Sequence, residues 1–320
     1  MIFQVALQMK NGLLSLCLLG ALLINGNIQA QSSLLTAENQ TNLAAVEDTL
    51  GLLAYAMVND SIEENRFGAV RAFIPTLVEA LKTPNSFQYR FDQLQTISIQ
   101  YPADSTFRIF TWQLYVDKDT YRYYGAIQKN TTELDLVPLR DRSYEIMEDL
   151  EQAVLEPDQW YGSVYYNLHT VGTGSDAYYL LFGYDGHEFF RKRKVVDVLR
   201  FIDDKPTFGA PVFARIDSST VTPSVTTKNR LVLEYSATAS LRCNYDPALE
   251  MLIYDHLMTV GGNYGEGPVN IPDGTYEAYR LKDGRWEYVE KVFHTWLDEA
   301  PRPEPVLKGR RGKDLMGNGG

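Results

Sequence analysis

Four histidines are available for acid–base or metal chemistry: His169, His187, His256 and His294. They lie far apart, and none stands in the HExxH or HxH spacing that brings two imidazoles to one ion. Asp185 and His187 could join a distant third ligand, but Asp185-Gly186-His187 between apolar runs reads first as a hairpin tip. Asp255 and His256 are adjacent, and neighbouring strand residues point to opposite faces, so a joint acid–base role is not expected. There is no GxSxG nucleophile elbow. The loop at 172–176 (GTGSD) has no P-loop lysine and no following helix, so it reads as a turn. A glycosidase needs two acids roughly 5–10 Å apart across a cleft, and 41 acids single out no pair. No metal, no cofactor and no catalytic residue is therefore expected from the sequence, and the chain leans away from enzyme chemistry.

The aromatic pattern says more. Tyr outnumbers Phe, 21 to 14. No Tyr lies in residues 1–50, and Tyr55 alone precedes Tyr89, so the excess marks the later part of the chain. Trp160, Tyr161, Tyr165 and Tyr166 cluster before His169, and Tyr178, Tyr179, Phe182 and Tyr184 follow. Tyr115, Tyr121, Tyr123 and Tyr124 flank another turn. A tyrosine joins an apolar ring to a polar tip and suits half-exposed binding surfaces. The candidate ligand-binding residues are Trp160, Tyr161, Tyr165, Tyr166, His169, Tyr184, Asp185 and His187, with a glycan, a peptide or an envelope component as partner. Cross-strand aromatic pairs that stabilise an exposed sheet face are the competing reading. The run Arg191-Lys192-Arg193-Lys194 offers either a surface for an anionic partner or protection of a sheet edge. The acids from Asp141 to Asp158 suggest a solvated helix face, with a cation site as the alternative.

These residues must be positioned by a mainly β (α+β) fold. Leu43, Val46, Leu50, Leu53 and Met57 recur at helical spacing, as do Val70, Phe73, Leu77 and Leu81, and 59–61 (NDS) separates the two runs. A helical hairpin over 31–85 follows, with Pro75 expected to kink or end the first half of its second helix. From Phe87 onward, short runs of Tyr, Phe, Val and Thr alternate with turn residues. Asp117-Lys118-Asp119, Asp185-Gly186 and Asp283-Gly284 are hairpin signals. Residues 86–300 are expected as antiparallel sheets in a sandwich, open barrel or propeller-like array, interrupted by one helix near 143–155.

Composition sets the setting. Apolar residues make up 45% of the 320, enough for a core, and the net charge of −11 argues against nucleic acid as a partner. That charge combines Lys10, a +3 segment at 301–320 expected to be disordered, and a −15 body over 31–300. Residues 1–30 have the layout of a secretory signal: Lys10, an apolar run over 13–24, polar breakers and a cut after Ala30. The run is too short for a membrane span, so no transmembrane anchor is expected after cleavage. Cleavage leaves Cys243 as the single cysteine, most simply a strand residue.

This combination resembles uncharacterised exported proteins of Bacteroidota-type bacteria. It rests on the signal ending in NIQAQ, the helical pair, and Tyr-rich segments such as 178–186 (YYLLFGYDG) and 230–237 (RLVLEYSA). That group supplies no activity to carry over. The resemblance implies a Gram-negative periplasmic, envelope or extracellular location. The expectation is an exported, envelope-associated protein with a binding or structural role. The alternative is a hydrolase of glycans or envelope polymers that uses acidic residues.

Overall fold

The structure is a computed structural model that describes residues 34–117, 120–147, 149–217, 224–262, 265–290 and 292. The expected signal segment at 1–30 and the basic segment at 301–320 lie outside the described residues.

Helix α1 (Ala37–Asn59) begins where the Thr36 hydroxyl accepts from the Asn39 N–H at 3.1 Å, satisfying one of the free donors of the first turn. Leu43, Leu50, Ala54 and Met57 are buried along one side. At the turn, an Asp60 carboxylate oxygen accepts from the Ile62 N–H at 2.8 Å. Helix α2 (Glu63–Leu81) then runs through Pro75 without ending there.

Three antiparallel sheets follow. The first has four strands in the order β1 (Ser98–Gln100), β2 (Phe107–Asp117), β3 (Thr120–Lys129) and β4 (Leu136–Arg140). The second contains β5 (Val164–Val171), β6 (Tyr178–Asp185) and β7 (Arg191–Ile202), with β8 (Lys205–Phe208) paired on β7. The third is built from β9 (Phe213–Asp217), β10 (Ser224–Lys228), β12 (Cys243–Asp246), β13 (Met251–Gly261), β14 (Pro268–Lys282) and β15 (Arg285–Val289). Strand β11 (Leu231–Ser236) crosses back to pair with β7. Within the third sheet, β15 and β9 pair in parallel.

Strand alternation turns these sheets into layers. Phe110, Trp112 and Leu114 of β2 face the helices and close a first core with Leu50, Met57 and Phe73. Phe107 and Ile109, on the opposite face, meet Leu181, Val195 and Leu199 of the second sheet. Leu180, Phe182, Val196 and Val198 then face Phe213, Leu252 and Trp286 of the third. The molecule is a stack of helical pair, sheet, sheet and sheet, with three cores between four layers. The β arrangement is thus sandwich-like, and no sheet closes into a barrel.

The expected helix near 143–155 is absent. A 3-10 turn at Ser143–Glu145 is followed by turns and an isolated bridge between Leu155 and Phe208. Its polar side chains bond other parts of the chain instead. The Gln152 amide donates to the Thr227 carbonyl at 2.9 Å, and Glu151 pairs with Lys228 at 2.6 Å. Phe87 likewise lies in a 3-10 turn, not in a strand.

Candidate functional site

Where β3 and β4 approach the β6–β7 hairpin, a cavity of about 810 Å³ opens beside the second core. Asp185, the last residue of β6, is buried at its wall. Its carboxylate accepts from the Tyr123 hydroxyl at 3.0 Å, from the Tyr161 hydroxyl, and from the His187 N–H at 2.7 Å. The Gly186 N–H donates to the Tyr123 oxygen at 2.6 Å. Gly186 is required by space: a Cβ there would lie 2.8 Å from the Tyr121 ring. His187 takes the positive φ of the tip, 45°.

Arg193 lies opposite Asp185 in the β6–β7 register. Its guanidinium donates twice to Glu234 Oε2, at 3.0 and 2.8 Å, and reaches the Tyr161 hydroxyl at 3.4 Å. Burial, then the Asp185 charge, hold the Tyr123 and Tyr161 phenols well above their ordinary range, so both remain neutral donors. His187 lies 3.9 Å from Asp185, 3.6 Å from Glu188 and 3.7 Å from Glu234. Burial and the Arg193 charge nevertheless outweigh these carboxylates and pull its pKa down, favouring the neutral imidazole.

A second carboxylate lines the cavity. Asp141 accepts from the Tyr123 N–H at 3.1 Å, the Ser143 N–H at 3.1 Å, the Ser143 hydroxyl at 2.5 Å and the Gly162 N–H at 3.3 Å. Tyr144 and Arg140 complete the rim, and Tyr144 is 77% exposed. The wall is therefore a set of tyrosine rings interleaved with fixed charges.

Of the sequence-predicted residues, Tyr161, Asp185 and His187 converge here. Trp160 and Tyr165 do not: both are fully buried, and the Trp160 indole N–H donates to the Tyr165 hydroxyl at 2.8 Å. They form part of the core between the first two sheets. His169 is stacked on Tyr245 with ring centroids 3.5 Å apart, away from the cavity. Tyr166 and Tyr184 belong to the other face of the second sheet, with Lys194. The basic run therefore does not guard an edge, because β7 lies between β6 and β11. Arg191 and Arg193 turn to Glu234, while Lys194 goes to the opposite side, as alternation requires. The expected ligand-binding set leaves out Tyr123, Asp141, Tyr144 and Arg193, of which Tyr123, Asp141 and Arg193 stand only in the wider aromatic, acidic and basic clusters. Asp141-Arg142-Ser143 carries a local sign, an Asp whose carboxylate can accept from the backbone two residues on.

Cys243 is a buried strand residue, its thiol pushed up to about 12 by burial. Among the described residues no group of three or more His, Cys, Asp or Glu could hold a metal ion. No helix among them is long and apolar enough to cross a membrane. Comparison of the chain with protein-family models, with curated proteins and with solved structures found no match.

Proposed function

We propose that this chain is an exported, envelope-associated binding protein whose Tyr161–Asp185 cavity takes a polar ligand, with a glycan as the best-suited class. The observation that carries the reading is the cavity wall, where Tyr121, Tyr123, Tyr124, Tyr144 and Tyr161 alternate with Arg140, Arg193, Asp141 and Asp185. Sugars present apolar C–H faces for rings and hydroxyls for charged groups, and a few fixed polar groups in a large pocket supply orientation. Export rests on the signal layout of residues 1–30.

Binding fits better than hydrolysis. The oxygens of both carboxylates are already engaged by hydroxyl and N–H donors. A general acid or base must instead reach a substrate proton directly or through one water.

A glycan array followed by calorimetry on the full chain tests the reading. A retained glycan is expected, with Tyr144→Ala weakening it at least about tenfold, as loss of one ring contact implies. Tyr144 is exposed, so this change should leave the thermal midpoint nearly unmoved. No retained glycan, or unchanged affinity in Tyr144→Ala, would sink the proposal.

A further inference from the structure

A second, smaller cavity lies where the edge of the central sheet meets the helical layer. It has a volume of about 360 Å³ and is lined by Val58 of α1, Thr96, Gln113 of β2, and Val164, Tyr166, Tyr184 and Lys194 of the second sheet. The β5–β6–β7 register places Val164, Tyr184 and Lys194 in one cross-strand row. A register shift between Tyr165 and Asn167 leaves Tyr166 as the extra residue beside that row.

Three polar groups on residues that line this cavity have unmet demands. The Lys194 ammonium sits 4.0 Å from the Tyr166 ring centroid and 5.3 Å from that of Tyr184. No carboxylate among the described residues lies within ion-pair distance of it, although other basic residues of the same run pair with Glu234. Gln113 Oε1 and Thr96 Oγ1 are buried with no hydrogen-bond partner. A buried polar atom without a partner costs about 1–3 kcal/mol and calls for an explanation. Burial also lowers the Lys194 pKa, as expected for an amine that has lost water and gained no counter-ion.

We propose that this cavity is a separate binding site for a small ligand carrying a carboxylate next to a hydroxyl or amine. The carboxylate would accept from the Lys194 ammonium and the Thr96 hydroxyl, both charge-assisted bonds. Gln113 Oε1 and Thr96 Oγ1 are shielded from solvent, so each side chain must turn on binding, and Oε1 then accepts from the neighbouring ligand hydroxyl or amine. The two tyrosine rings would exclude water and cover the ligand's carbon skeleton. One cation suits one carboxylate. Aldonic (α-hydroxy) sugar acids and amino acids both carry this group, so the two sources share one chemistry.

Calorimetric titration of the full chain with gluconate and with alanine separates them, using glucitol and alaninamide as counterparts without the carboxylate. At least one carboxylate is expected to bind at least about tenfold more tightly than its counterpart, and that preference should disappear in Lys194→Met. Gln113→Leu should weaken the same ligand, and Asp185→Asn, on the other cavity, should leave it unchanged. Circular dichroism of each variant confirms the fold before titration, and Gln113→Leu reports alone if Lys194→Met is unfolded. The proposal is overturned if neither carboxylate is preferred over its counterpart, or if a folded Lys194→Met or Gln113→Leu binds like the parent chain.

Discussion

Asp197 and Arg230 place two full charges in the core between the first two sheets, with side chains 1% and 0% exposed. Arg230 Nη2 lies 2.9 Å from Asp197 Oδ1, but off the hydrogen-bond direction, and Arg230 Nε has no partner. Support comes from elsewhere: Arg230 Nη1 donates to the Leu150 carbonyl at 2.8 Å, and Asp197 Oδ1 accepts from the Val198 N–H at 2.8 Å. Removing one member of such a pair strands the other charge, at about 3–5 kcal/mol, whereas an apolar replacement of both is often near neutral. Arg230→Met and Asp197→Leu should each lower the urea midpoint sharply, and the double variant should recover most of the loss. A double variant no better than the worse single one would show that the pair is not the source. The sequence does not announce this pair, because Asp197 lies within β7 and Arg230 in the bend before β11, with no shared motif. The same holds for Arg108, fully buried with bonds to Gln128, Tyr89, Tyr101 and Ser86. Burial of a charge is decided by layers that form far away in sequence, and so is the meeting of Tyr123, Tyr161 and Asp185.

Elements were legible where local chemistry dictates them. Asp283 and Gly284 have φ of 48° and 79°, as a two-residue hairpin with positive φ at both positions requires, and they join β14 to β15 as expected. Asp203 and Asp204 close the β7–β8 hairpin with φ of 48° and 66°. An Asp-Asp pair is a weaker signal than Asp-Gly, and β8 was not anticipated. Strand β4 contains Pro138, which sits on a sheet edge where a missing N–H is tolerated. Ile146, Met147, Leu150 and Val154 in 143–155 suggest a helical stripe, but Ile146 and Leu150 pack on the second core while Met147 and Val154 are exposed. That segment is held at its far end by close backbone approach. Gly209 has φ of 96°, and a Cβ there would lie 2.5 Å from the Ala153 carbonyl oxygen. Gly209→Ala must therefore strain φ and push the segment off β8. A loss of about 2 kcal/mol or more in denaturant unfolding is expected, since the φ strain alone is worth about 1–2 kcal/mol. A change under about 0.5 kcal/mol would mean that the segment adjusts freely.

At the scale of the molecule, the central sheet is covered on both faces. This explains why β6 (YYLLFGYD) and the VVDVL stretch of β7 read as nearly unbroken apolar runs. Strand β10, at the edge of the third sheet, is instead mostly polar, with Ser224, Val225 and Thr226 all exposed. That contrast was present in the sequence, and it separates the middle layer from the outer one. The order of the layers was not legible, because β11 leaves its neighbours in sequence to join β7. Native-state hydrogen exchange should find the slowest amides in β6 and β7, near the global unfolding free energy, and fast ones in β10. Equal protection across the three sheets would contradict this layering.

The two cavities draw on consecutive residues of one hairpin, with Asp185 and Arg193 on one side and Tyr184 and Lys194 on the other. A deletion of one residue inside β6 would carry the side chains beyond it through the sheet and set Tyr184 and Asp185 on the wrong faces, while Arg193 and Lys194 of β7 stay in place, so both sites are broken. Substitution, or a longer tip at 186–190, can therefore vary the cavities, whereas a one-residue insertion or deletion in β6 or β7 disrupts both at once.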